Sequence, residues 1–169
     1  MIKRHKSLYP LSHHHHHALV RALEIRRAAE QPEPERTAAL HRAGRALVEF
    51  WKHNGSVHFR EEEEVLLPAC ARHVNIAEEP AFVRMLAEHA AIRAGLQDLE
   101  QALADHQPAQ ELIIELGRML HDHVRLEEEQ VFPRAEALLG EAGLQAIAPR
   151  LTQLHPKACE ANPAEHREN

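Results

Sequence analysis

Two short stretches of the chain repeat one another and contain the side chains most able to do chemistry. The first, HFREEEEVLLP, runs from His58 to Pro68, and the second, HVRLEEEQVFP, runs from His123 to Pro133. Aligned without a gap, they share a histidine at the first place, an arginine at the third, three consecutive glutamates from the fifth and a proline at the eleventh. An imidazole and a carboxylate four residues apart on one helix face are well placed to bind one metal ion or to bridge two.

The repeat also predicts which glutamates face inward. Residues four apart on an α-helix differ in direction by only about 40°, so His58 and Glu62 point the same way, as do His123 and Glu127. Glu61 is a rival to Glu62, but the second copy has a leucine at the equivalent place, and leucine cannot ligate. We therefore expect Glu62 and Glu127 to be the functional carboxylates. The remaining glutamates of both stretches are expected to form a solvated, ion-paired surface.

Further histidines have helical directions that converge on the same interior. His89 lies in an apolar stripe of the third helix, and the His/Glu pairs of two other helices favour a ligand role for it. In the stretch LSHHHHHALV, the apolar stripe is centred on Leu19 and Leu23 and is flanked by His15 and His16. The spacing to Leu19 and Leu23 slightly favours His16 over His15, and both stay candidates. The other three histidines of the run are expected to point away: His13, His14 and His17.

These side chains add up to four imidazoles and two carboxylates, with one contribution from each of four helices. If they are divided over two ions with both carboxylates bridging, each metal receives two histidines and two oxygens. A bridging oxide, hydroxide or water and an open position would complete the coordination. This ligand set suits iron, then manganese, better than a closed structural zinc site, with manganese or zinc as possible substitutes. The predicted metal ligands are His15, His16, His58, Glu62, His89, His123 and Glu127.

The elements that must position these residues are all helices. Prolines divide the chain into amphipathic segments, and no strand alternation is found. The pattern predicts an all-α, up-down-up-down four-helix bundle. Ser12 is the expected N-cap of the first helix. The helices are expected at about residues 12–29, 34–71, 80–103 and 108–139, followed by a short C-terminal helix at about 141–154.

Composition limits the class of protein. The chain has 169 residues, of which 44% are hydrophobic and 16 are histidine, and its net charge of −6 argues against nucleic-acid binding. No apolar run approaches the roughly 20 residues that span a bilayer, and two cysteines without a CxxC pair indicate a soluble protein of the cytoplasm. The expected organisation is an N-terminal arm at 1–10, the bundle domain at 11–154, and a C-terminal tail at 155–169 that is expected to be disordered.

Four short stretches, LSHHHHHAL, HFREE, EHAAIR and HVRLEE, carry a resemblance to the hemerythrin-like (HHE cation-binding) domain family. The resemblance covers residues 11–139 and implies a four-helix bundle with a non-haem di-iron centre. The chain departs from the oxygen-carrying hemerythrins, which have a histidine where this chain has Arg93 and a His-x-x-x-x-Asp motif where it has His123 and Glu127. These departures favour the bacterial branch of the family. Arg93 either pairs with a carboxylate or an anion near the site, or lies exposed on its helix.

The resemblance implies a non-haem di-iron protein that binds or senses O₂, NO or iron through a His/Glu-bridged centre of two iron ions. The alternative is a di-iron enzyme that decomposes peroxide or donates iron for iron–sulfur cluster repair. A bundle that binds only adventitious metal is a third hypothesis, and the sequence leaves open whether the protein is an enzyme. The expected partners are a small diatomic ligand or peroxide, with no nucleic acid and no membrane.

Overall fold

A computed structural model of the chain describes residues 4–154, so the predicted tail at 155–169 lies outside the described residues. Seven α-helices are present in this range: α1 Tyr9–Ala29, α2 Glu35–Phe50, α3 Ser56–Glu61, α4 Leu67–Cys70, α5 Pro80–Ala104, α6 Gln110–Leu126 and α7 Phe132–Leu154. Three π-helical segments lie between them: π1 Trp51–Gly55, π2 Glu62–Leu66 and π3 Glu127–Val131. Residues 4–154 contain no β-strand, and none of their helices is long and apolar enough to cross a membrane.

The segments form an up-down-up-down four-helix bundle, as the sequence predicts. α2, π1, α3, π2 and α4 join end to end into one helical rod, because every junction residue keeps right-handed helical backbone angles. α6, π3 and the first part of α7 form the fourth rod in the same way. Gly140 then breaks α7 with a φ of 58°, a left-handed angle that glycine adopts at little cost. The predicted short C-terminal helix begins just after this break.

The start of the chain is more ordered than the sequence predicts. α1 begins at Tyr9, so Ser12 lies inside the helix and is not its N-cap. The preceding residues pack against the fourth rod: Leu8 is fully buried, and the Arg4 guanidinium donates to Glu128 at 2.7 Å. The predicted N-terminal arm is therefore packed against the bundle from Arg4 onward.

Buried polar residues form a layer across the middle of the bundle, between two separate apolar clusters. Each apolar side chain that folding removes from water contributes about 1.5–3 kcal/mol, so both clusters stabilise the bundle on either side of the polar layer. The cluster on one side includes Leu11, Leu66, Phe82 and Phe132. The cluster on the other side includes Ile25, Leu47, Leu99 and Ile113. The buried polar layer consists of His14, His15, His58, Glu61, Glu62, His89, His123 and Glu127.

The proline that both repeats share follows a π-helical segment in each case. π2 and π3 begin at Glu62 and Glu127, the fifth residue of each repeat, and each is followed by the proline at the eleventh place. Because proline has no N–H, a backbone carbonyl one turn earlier loses its helical partner. Arg150 donates to the backbone oxygen of Glu64 at 3.2 Å in the first copy, and Arg4 donates to that of Glu128 at 2.6 Å in the second. Each distorted turn is thus held by an arginine from elsewhere in the chain.

Candidate metal centre

Six buried side chains from all four rods meet at the centre of the bundle. They form two groups of four potential ligands, and the ligand atoms within each group lie within 4.8 Å of one another. Both glutamates belong to both groups. The first group is His15, His58, Glu62 and Glu127, and the second is Glu62, His89, His123 and Glu127.

Each shared carboxylate directs one oxygen to each group. Oε1 of Glu62 lies 3.4 Å from Nε2 of His58 in the first group, and its Oε2 lies 3.3 Å from Nε2 of His89 in the second. Oε2 of Glu127 lies 2.9 Å from Nε2 of His15, and its Oε1 lies 2.8 Å from Nε2 of His123. This division of oxygens is the arrangement expected of two carboxylates that bridge a pair of metal ions.

The surrounding protein groups stabilise the negative charge of Glu127 but not that of Glu62. Burial raises the pKa of Glu62 well above its ordinary value, and the nearby Glu127 carboxylate raises it further. Burial also opposes ionisation of Glu127, but the charges and hydrogen bonds of His123, His15 and His89 lower its pKa well below the ordinary value. Neither oxygen of Glu62 has a hydrogen-bond partner among the described residues. An ionised carboxylate that is buried without hydrogen bonds costs several kcal/mol. Bound cations would compensate this charge directly, so the residues fit a metal pair.

The imidazoles of the first group also have strongly shifted pKa values. Burial alone would lower the pKa of His15, but hydrogen bonds to Glu127 and Glu128 raise it to about 9. Burial lowers the pKa of His58 to about 4, and Glu61 opposes this shift only in part. In the metal-free protein, therefore, His15 carries a proton at neutral pH and His58 is neutral. A metal ion must displace the proton of His15 before Nε2 can ligate.

Three of the four inward histidines are oriented by a second carboxylate on the opposite side of the ring. A carboxylate at Nδ1 accepts the ring proton, which fixes the tautomer and leaves Nε2 directed at the centre. The three pairs are His15 Nδ1 with Glu128 at 2.7 Å, His89 Nδ1 with Glu63 at 2.7 Å, and His123 Nδ1 with Glu88 at 2.9 Å.

The prediction of a solvated surface is therefore wrong for Glu61, Glu63 and Glu128. Glu61 is fully buried in the polar layer. Glu63 and Glu128 are partly buried, because the residue after each inward glutamate faces a neighbouring helix of the bundle instead of solvent. The prediction holds for the next residue of each repeat: Glu64 and Glu129 are exposed and pair with the arginine four residues earlier.

Arg93 contacts the site through one of these outer carboxylates. Its guanidinium donates two hydrogen bonds to Glu63, each 2.8 Å long, and lies 5.2 Å from the centre of the Phe59 ring. Of the two alternatives that the sequence leaves for Arg93, the structure shows the pairing with a carboxylate near the site. Arg93 holds Glu63 in place, and Glu63 in turn orients His89.

The structure separates the two first-helix candidates. His15 is buried in the first group, whereas His16 is exposed and lies outside both groups, so the inward direction expected for His16 is wrong and the geometry favours His15 as the predicted ligand. The expectation that His14 points away is also wrong, because its side chain is 4% exposed. The error comes from the assumed apolar stripe, since Leu19 and Leu23 are only half-buried. The buried stripe of α1 is Leu11, His14, His15, Ala18, Ala22, Ile25 and Ala28.

A small cavity of about 20 Å³ lies beside the first group. Its volume slightly exceeds the minimum for one water molecule. Apart from histidines and Glu127, it is lined mainly by apolar side chains, which include Phe50, Trp51, Phe59, Leu120 and Val124. A larger cavity of about 430 Å³ lies between α1 and α6, but it contains none of the six inward residues. The small cavity could therefore hold a small ligand next to the first His/Glu group.

The comparisons with known proteins agree with this geometry. The family model described as the hemerythrin HHE cation binding domain matches residues 8–135, which include all six inward residues. A second match, to residues 81–159, begins at the start of α5, the first helix of the second half of the bundle. No curated protein and no solved structure gives a significant match. On the family match and the buried His/Glu clusters, this chain belongs to the hemerythrin HHE cation-binding domain family.

Proposed function

We propose that this protein binds two iron ions between its two His/Glu groups and uses them to bind or sense a small ligand such as O₂ or NO. The observation that carries the proposal is the division of the oxygens of Glu62 and Glu127 between the groups. Each ion would receive two imidazole nitrogens and two carboxylate oxygens, a set that suits iron or manganese and leaves a position open. Ligation by the six residues and the identity of the metal stay predictions.

The protein's own residues would prepare the site for this role. Glu128, Glu63 and Glu88 hold three histidines in one tautomer, so that each Nε2 lone pair faces the centre. Phe59, which is itself buried, stacks on His89 with ring centroids 3.6 Å apart. When bound, the iron pair would supply redox activity and an open coordination position. The surrounding apolar side chains would keep bulk water away from that position.

The small cavity limits the size of the ligand. Its volume of about 20 Å³ leaves room for little more than one small molecule, which suits O₂, NO or peroxide and excludes larger substrates. Around this cavity the titratable side chains of the described residues are His14 and members of the predicted ligand set.

The proposal is tested by absorption spectroscopy of iron-loaded protein that is reduced without air and then exposed to O₂ or NO. We expect charge-transfer bands that bleach on reduction and return in air, together with a distinct spectrum with NO. Glu62→Gln should abolish these changes, whereas Glu64→Gln, which alters an exposed residue of the same segment, should leave them intact. Iron-loaded protein without any response to either gas would contradict the proposal.

A further inference from the structure

The two halves of the bundle surround the centre with matching contacts. His15 of α1 bonds through Nδ1 to Glu128, and His89 of α5 bonds in the same way to Glu63. Glu63 and Glu128 occupy the same place in the two repeats. α1 and the second rod therefore correspond to α5 and the fourth rod. A buried polar residue that one half has and the other lacks is a candidate for a function outside the shared centre.

The halves differ at two buried positions. In the second half, Glu88, the residue before the inward histidine of α5, accepts from Nδ1 of His123. The corresponding residue of the first half is His14, which has no carboxylate to offer. The first repeat also has Glu61 where the second has Leu126. A histidine thus replaces a glutamate on one helix, and a glutamate replaces a leucine on the next.

Glu61 does not orient His58 by a hydrogen bond to Nδ1 in the way that Glu128, Glu63 and Glu88 orient the other three inward histidines. Oε2 of Glu61 lies 3.8 Å from Nδ1 of His58, compared with 2.7–2.9 Å in the three other histidine–carboxylate pairs. A separation of 3.8 Å is too long for a hydrogen bond. The same oxygen lies 3.3 Å from Nδ1 of His14. Two ligand atoms that each bind one metal ion at about 2.1 Å in tetrahedral geometry lie about 3.4 Å apart, so the spacing fits a shared cation.

The cluster is enclosed as a metal site would be. Glu61 is fully buried, and His14 and His58 are 4% and 6% exposed. The His14 and His58 rings meet edge to face, with centroids 5.5 Å apart. One ligand atom from each of the three residues lies within 4.8 Å of the other two. Two imidazoles and one carboxylate with room for a water is also the protein ligand set of many open zinc sites.

We propose that His14, Glu61 and Nδ1 of His58 form a third cation site, which binds one divalent first-row metal ion beside the dinuclear centre. His58 would then bind the dinuclear centre through Nε2 and the third ion through Nδ1. Binding at both nitrogens requires loss of the remaining ring proton, which passes to solvent. The proposal rests on the proposed function in one respect, because the two sites share His58.

Counting of bound Co²⁺ and Zn²⁺ per chain tests the proposal. His13 and His17 form an exposed histidine pair on α1 and could hold an adventitious ion, so the count is made in a His13→Ala, His17→Ala background. In this background, we expect three ions per full-length chain. Glu61→Leu, which introduces the residue of the second repeat, should bind two. The double substitution His14→Glu, Glu61→Leu copies the second half of the bundle and should also bind two.

The outcomes distinguish the third site from the dinuclear centre. Three ions in the background protein and two in both variants, with unchanged circular dichroism, would support the third site. Two ions in all three proteins would overturn the third site and leave the dinuclear centre standing. Fewer than two ions in the background protein would overturn the dinuclear centre itself. If Glu61→Leu alone loses stability and the double variant folds with three ions, Glu61 has a packing role and the third site is excluded.

Discussion

At the scale of residues, two glutamates at equivalent places in the repeats respond to burial in opposite ways. Glu62 has its pKa raised by burial and by the adjacent negative charge, whereas Glu127 has its pKa lowered because three histidines surround it. Without metal, burial and the adjacent Glu127 charge therefore favour a proton on Glu62, and hydrogen bonds to Glu127 and Glu128 raise the pKa of His15 to about 9. Metal ligation requires both groups in their deprotonated forms, so protonation and metal binding compete at this site.

Metal binding should release protons, with an affinity that increases with pH. The folded pKa of His15, about 9, lies above its ordinary value of 6.5. In the metal-free protein, the protonated ring therefore stabilises the fold fully below about pH 6.5 and progressively less as pH rises through about 9. The bound metal needs the neutral ring, so we expect a release of about one proton or more per chain at pH 7. Calorimetry in buffers with different ionisation enthalpies measures this release, and an absence of buffer dependence would contradict the expectation.

Three neighbouring glutamates should give three different results when each is replaced by alanine. Glu62→Ala removes a bridging carboxylate and should reduce binding below two metals per chain in the dinuclear centre. Glu63→Ala removes the acceptor of His89 and should lower metal affinity by about 10–100-fold without changing the stoichiometry. Glu64→Ala alters an exposed residue and serves as the control. Equal effects at all three positions, measured by competition with a chelator, would contradict these roles.

Sequence analysis placed a residue in the interior correctly where the repeat distinguishes that residue from its neighbours. His58, Glu62, His123 and Glu127 were predictable, because the repeat shows which of several glutamates is shared. The burial of His14 and Glu61 has no signal of that kind, because the second half of the bundle has Glu88 in place of His14 and Leu126 in place of Glu61. Within five consecutive histidines, every direction around α1 has a candidate, so a small error in the assumed apolar stripe selects His16 instead of His15.

At the scale of elements, the π-helical turns explain how one rod can supply so many polar side chains to the interior. π2 and π3 each begin at the inward glutamate and widen the helix for one turn. A π turn contains about one residue more than an α turn, and such turns occur frequently at functional sites. The length and boundaries of the four rods followed from prolines and periodicity. The π turns did not, because a single additional residue leaves the apolar pattern almost unchanged.

Deletion of one residue should be tolerated better inside π3 than inside α6. Removal of Gln130, an exposed residue of π3, converts the π turn to an ordinary α turn and leaves the register of the residues on either side intact. Removal of Arg118, an exposed residue of α6, rotates every later residue of the rod by about 100° and turns apolar side chains out of the core. Thermal unfolding followed by circular dichroism should therefore show a folded protein for the Gln130 deletion only. Equal loss of structure in both proteins would contradict this account of π3.

At the scale of the whole molecule, the polar layer interrupts what would otherwise be one hydrophobic core. Apolar clusters lie on both sides of it, and the layer itself contains eight buried histidine and glutamate side chains. Burial of ionisable groups without compensation is costly, so the layer weakens the metal-free protein. The stability of the bundle should therefore depend on metal to an unusual degree.

Removal of the metal should lower the melting temperature of the protein, and addition of metal should restore the original melting temperature. A ligand that binds only the folded state at 100 times its Kd adds about 2.7 kcal/mol to the free energy of unfolding. For a chain of this size, we expect a shift of at least about 5 °C between the metal-loaded and chelator-treated proteins. Glu64→Ala should show the same shift, whereas Glu127→Ala should show little. Equal melting temperatures for loaded and metal-free wild-type protein would indicate that the layer is stable without cations.

The most direct test of the dinuclear centre is anomalous X-ray diffraction from crystals of the iron-loaded protein, collected above and below the iron absorption edge. Two anomalous peaks should lie within the two groups that share Glu62 and Glu127, one between His15 and His58 and the other between His89 and His123. Glu62 and Glu127 should each contact both peaks. A single peak within these groups, or iron only at the exposed histidines of α1, would contradict the assignment of Glu62 and Glu127 as bridging ligands.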